Sequence, residues 1–111
     1  MSYNVFADMG LPNPEMELLK CQIVQSLGVL QSEKGLSDDA VARLWGVPAS
    51  EVPRLLEGYW DDYTVERLFQ FANALGRNVR ITIDSQDAAP GEQARTLVLP
   101  RYRPETAHRT P

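Results

Sequence analysis

The run GVPASEVPRLLEG, Gly46 to Gly58, carries two prolines, Pro48 and Pro53, and two glutamates, Glu51 and Glu57, against one arginine, Arg54. In charge this sets two carboxylates against one guanidinium, and the carboxylates form either a solvated face or a surface for a basic partner. An arginine presents a planar fork that takes guanine bidentately or holds a phosphate. A glutamate opposes phosphate electrostatically, although it accepts from cytosine in a favourable register. The chemistry on offer is recognition rather than bond making. The acidic pair Asp61-Asp62 has no accompanying nucleophile or metal-ligand spacing, and two carboxylates alone do not make a catalytic pair. His108, the one histidine, lies in a polar terminal stretch with no partner in view. Cys21, the one cysteine, excludes an internal disulfide and any multi-cysteine metal site, and it reads as a buried or half-buried filler. The expectation is a protein that is not an enzyme, with no catalytic residue, no metal and no cofactor.

Four helices are needed to position that face. Asn13-Pro14 reads as a helix start, with Asn as cap, Pro at the first helical position, and Glu15 and Glu17 near the positive end of the dipole. Met16, Leu19, Ile23, Leu27 and Leu30 then mark one face, up to Gly35. Ser37 caps a short second helix with Asp38 and Asp39 in its first turn and Val41, Leu44 and Trp45 facing inward. Gly46 supplies the turn. The third helix gives Val52, Leu55 and Leu56 to the core and stops at Gly58. If Pro48 were its cap, Pro53 would fall five residues in and cost about 3 kcal/mol. With Ser50 as cap, Pro53 lies in the first turn, where its missing N–H had no helical partner. A start about one turn late is therefore expected. YWDDY is a loop in which Tyr59, Trp60 and Tyr63 either stack on a partner or pack partly against the fourth helix. Thr64 caps that helix, whose apolar positions are Val65, Leu68, Phe69, Ala72 and Leu75, and Gly76 ends it. Val79, Ile81 and Ile83 alternate with polar residues, as in a strand, and TLVLP at 96–100 is a candidate second strand.

The domain plan is an N-terminal arm over 1–13 anchored by Val5, Phe6 and Leu11, and a helix-turn-helix domain over 14–76. A strand or hairpin used for dimerisation follows over 77–100, then a disordered tail over 101–111. The fold class is mostly α, a four-helix domain with a C-terminal β-strand or short hairpin. The 111 residues are 43% hydrophobic, enough for a modest core. The N-terminus has no basic start or long apolar run, unlike a signal peptide, and no apolar stretch is long enough for a membrane. A lone thiol fits a reducing cytoplasm, the expected location. The net charge is −4, with four basic and eleven acidic residues over 1–66 and seven basic and four acidic over 67–111. A duplex-binding surface is usually basic, so the first part is poorly charged for DNA. Arg101, Arg103 and Arg109 could supply non-specific attraction.

Three segments together carry a family resemblance: NVFADMGLPNPEMELLKCQIV, LSDDAVARLWGVPASEVPRLLEG and TVERLFQFANALGRNVRITI. In order and spacing, over about residues 4 to 84, they resemble the XRE-type helix-turn-helix proteins grouped with HigA-like antitoxins. The resemblance implies an antitoxin that neutralises a RelE/HigB-type ribonuclease toxin and represses its own operon as a homodimer. Its partners would be double-stranded operator DNA and the cognate toxin, and the departures of this chain from the family's motif point to weak DNA binding. The family commonly has Thr-Gln where Ser37-Asp38 stands, and Ser-Gln-x-Lys-Val-Ser-Arg where Pro48-Ala49-Ser50-Glu51-Val52-Pro53-Arg54 stands. Arg54 matches, as do the core positions Val47, Val52, Leu55 and Leu56. The DNA-contacting residues expected are Ser37, Arg43, Ala49, Ser50, Glu51, Arg54 and Tyr59, with Val79, Ile81 and Ile83 for dimerisation. Ser37 and Ser50 would add phosphate contacts at helix N-termini. A rival reading is a protein-interaction module that kept the fold and lost sequence-specific DNA binding.

Overall fold

A computed structural model describes residues 9, 10 and 13–93, and within them four helices follow one another. They are α1 (Pro14–Lys34), α2 (Asp38–Trp45), α3 (Glu51–Glu57) and α4 (Val65–Ala74). The expected anchors Val5, Phe6 and Leu11, the segment 96–100 and the tail 101–111 lie outside the described residues. α1 packs against α4 and α3, and α2 packs against α3 and α4. The consecutive pair α2 and α3 thus leans on a frame made by the first and last helices.

The ends of the helices follow from local chemistry. Ser37 Oγ accepts from Ala40 N–H at 3.1 Å, and Thr64 Oγ1 accepts from Arg67 N–H at 3.1 Å, each satisfying an otherwise orphaned donor of a first turn. Asn13 holds the cap position differently. It is left-handed, at φ 51, its side chain makes no cap bond, and its backbone carbonyl accepts from Met16 and Glu17. Gly46, at φ 74, turns the chain out of α2 while its N–H and that of Val47 both reach the Ala42 carbonyl.

The entry to α3 explains how two prolines are tolerated. Glu51 N–H reaches Pro48 O at 2.9 Å and Val52 N–H reaches Ala49 O at 3.2 Å, the tighter spacing of a 3₁₀ turn. Pro53 would have donated to Ala49 O had it carried an N–H. That oxygen already has a donor in Val52. The start at Ser50-Glu51 agrees with the sequence, but Ser50 does not act as a side-chain cap: its backbone is right-handed helical and its hydroxyl makes no cap bond. The turn bonds before Glu51 replace it.

Leu27, Val41, Val52, Leu55 and Leu68 are wholly enclosed at the centre. Beside them Trp45 stacks flat on Phe71, centroids 4.3 Å apart, and its Nε1 donates to the Phe71 carbonyl at 3.1 Å. Two inward assignments need correction. Met16 is 43% exposed and Leu44 51% exposed. α1 is 21 residues long, about 31 Å, and the three shorter helices cover only part of it. Val24, Leu27 and Leu30 carry its buried stripe. In α2 the buried arc centres on Trp45 between Val41 and Ala42, which turns Leu44 to the rim. In α4 Phe71 is buried where the sequence had named Phe69, which is only partly covered.

Among the described residues no strand forms. After α4 the described residues run on without pairing to one another, and Val79, Ile81 and Ile83 are 36%, 71% and 90% exposed. Alternation gives such a segment an apolar edge, but a strand exists only with a neighbour to bond.

Candidate nucleic-acid interface

α3 has seven residues and one inward arc, Val52 and Leu55. At 100° per residue the opposite arc falls to Ser50, Arg54 and Glu57, and all three are exposed, as are Ala49 before them and Tyr59 after them. Of the contact residues expected here, Ser50 and Arg54 share this outer face, with Ala49 and Tyr59 exposed at its two ends, whereas Glu51 is half-buried at its side. The Gly58 N–H closes the helix on the carbonyls of Arg54 and Leu55, and Tyr59 N–H also reaches Arg54 O at 3.1 Å. This bend brings the Tyr59 ring beneath Arg54, whose guanidinium carbon sits 4.6 Å from the ring centroid, within cation–π range.

On its other side Arg54 meets Glu51. Nε of Arg54 lies 3.9 Å from Glu51 Oε2. The second carboxylate oxygen, Oε1, accepts from the Tyr63 hydroxyl at 3.0 Å. Tyr63 is in turn fixed by its ring, which meets Phe71 edge-on at 5.6 Å, with Arg67 5.7 Å from its centroid. Burial pushes the Tyr63 hydroxyl pKa up, and the bond to Glu51 adds to the rise. Glu51 is thus a tethered carboxylate, although its side chain remains 36% exposed. The sequence left Tyr63 open between burial and partner binding, and its packing on the core resolves the first half of that choice. Trp60 is likewise partly buried, and its Nε1 donates to Glu17 Oε1 at 2.9 Å, tying the loop to α1.

The start of α2 is engaged in a comparable way. Gln31 Nε2 donates to Asp38 Oδ1 at 2.8 Å and to the Leu36 carbonyl at 3.0 Å. Asp38 is held by α1 through this bond from Gln31. Ser37 and Arg43 are exposed at the two ends of α2. Cys21 is half-buried in α1, and burial pushes its thiol pKa up, in keeping with a packing role.

Among the described residues no cluster of His, Cys, Asp and Glu is placed to hold a metal ion, and no helix is long and apolar enough to cross a membrane. What α2, its turn and α3 assemble is an exposed arginine on the outer face of a second short helix. Residues 5–84 match the family described as Helix-turn-helix domain. No curated protein and no solved structure matches the chain.

Proposed function

We propose, from the premise that this chain belongs to the helix-turn-helix domain family, that it is a DNA-binding transcriptional regulator and the antitoxin of a HigBA/RelE-type pair. It acts in the cytoplasm and represses its own operon as a homodimer. The observation that carries the DNA-binding part is Arg54, exposed on the outer face of α3 and backed by Tyr59. In helix-turn-helix proteins the second helix of the pair enters the major groove. The antitoxin part rests on the resemblance of the sequence to HigA-like proteins and on charge. The acidic balance of residues 1–66 suits a basic, RNA-cleaving partner through complementary potential. The dimer rests on the exposed apolar side chains of Val79, Ile81 and Ile83, because pairing with a two-fold mate covers such an edge.

A second reading, the protein-interaction module, draws on Asp38, Asp39, Glu51 and Glu57, four carboxylates against Arg43 and Arg54 over 37–59. Such a surface gives weak phosphate attraction. Two measurements separate the readings. Co-expression with the product of the adjacent gene should give a stable complex and restore growth. A salt-series titration on the promoter of the gene and on an unrelated duplex should show preference for the promoter. Equal binding to both duplexes, or none, sinks the regulator and leaves the interaction module.

A further inference from the structure

We propose that Glu51 is a positioning residue that aims Arg54 at a guanine, so that the carboxylate on the recognition helix confers sequence selectivity. The inference rests on the DNA-binding reading above and adds the base class it recognises. Four side chains form a chain of contacts. Tyr63 Oη holds Glu51 Oε1 at 3.0 Å. Glu51 Oε2 faces Arg54 Nε at 3.9 Å. The Tyr59 ring lies 4.6 Å from the guanidinium carbon. The anchor of the series is Phe71, a core residue 2% exposed, against which Tyr63 packs edge-on.

Each contact removes a freedom of the arginine. The carboxylate attracts the Nε side of the guanidinium from 3.9 Å, which leaves the two terminal amino groups as a fork. The tyrosine ring limits tilting of the guanidinium plane. A fork of that kind fits two adjacent acceptors in one plane, and guanine presents N7 and O6 in this way on its major-groove edge. Phosphate also accepts two such bonds, but it is an anion. A carboxylate beside the arginine repels it and leaves a neutral base edge unopposed. Glu51 therefore lowers general attraction to DNA and raises discrimination, and part of the ordering of the long arginine side chain is met before binding.

The sign of one substitution separates this role from simple repulsion. The full chain is used to select from a library of randomised duplexes. Binding is then titrated on a selected duplex, on the same duplex with its fixed guanine replaced by an analogue lacking the N7 acceptor, and on an unrelated duplex. Wild type should lose about tenfold on the N7-lacking duplex. Glu51→Gln should lose most of that tenfold dependence while holding or tightening on the unrelated duplex. Tyr63→Phe, which keeps the ring against Phe71, should shift in the same direction by a smaller factor with an unchanged thermal melt. Arg54→Lys keeps the charge and can still donate to guanine but loses the planar fork, and should show a weaker N7 dependence that Glu51→Gln no longer changes. If Glu51→Gln tightens on selected and unrelated duplexes alike and keeps the full N7 dependence, the glutamate merely repels and the proposal is overturned. If wild type selects no sequence at all, the DNA-binding reading itself falls and takes the proposal with it.

Discussion

Tyr63 is the residue through which the core reaches the outer face of α3. Its ring rests on Phe71 and its hydroxyl donates to Glu51. Burial first, and the Glu51 bond second, raise its pKa above the ordinary 10.0. The folded chain then keeps this proton at pH values where the unfolded chain has released it. Its contribution to stability is complete below about pH 10 and is lost as pH climbs through the raised folded value. Tyr63→Phe should flatten that alkaline limb, read from denaturant midpoints across an alkaline pH series; an unchanged limb would show that the hydroxyl is not held. Little of this was legible in the sequence. Residues 51 and 63 are joined across a loop, and such a bond leaves no periodic trace. Trp45 was legible, because a large apolar ring at the centre of a short helix face has few other places to go. The tether on Glu51 was hidden for the same reason that Tyr63 stayed open between burial and partner binding: each defines the other.

At the scale of elements, the helix boundaries were readable because capping is local. Ser37 and Thr64 bond donors three residues ahead, and both serve as the sequence suggests. The buried faces were less readable, since coverage is tertiary. The stripe through Met16 is regular, yet the shorter helices leave that end of α1 open. The strand was read from alternation alone, a pattern that says which way side chains point and not what lies beside the backbone. Two glycines make the same contrast measurable. Gly28 sits inside α1, where an added Cβ would meet only Leu56 Cδ2 at 3.9 Å. Gly28→Ala should raise stability by up to about 1 kcal/mol. Gly46 has open space around it but φ +74, so Gly46→Ala should lower stability by about 1 kcal/mol through backbone strain alone. Thermal melts of the two variants should move in opposite directions. A gain at Gly46 would mean that the turn between α2 and α3 relaxes out of the left-handed region.

At the scale of the whole molecule, the two most exposed large apolar residues among those described, Ile81 and Ile83, follow α4. Sedimentation of the full chain should report twice the mass of one copy, and the double variant Ile81→Glu, Ile83→Glu should report one. An unchanged mass in the variant would remove this segment from the interface. The seven-residue length of α3 sets a limit of a different kind. Such a helix is about 10 Å long and lies along about three base pairs at ~3.4 Å each. A perfect reader of three positions tells apart about 64 sequences, and a two-fold pair about 4,000, because all four base pairs differ in the major groove. A genome offers roughly 10⁶–10⁹ competing sites. In information terms the helix writes too short an address to name one locus, even when doubled. The remaining digits have to come from duplex shape or from repetition, so a promoter addressed by this chain should carry several half-sites in tandem.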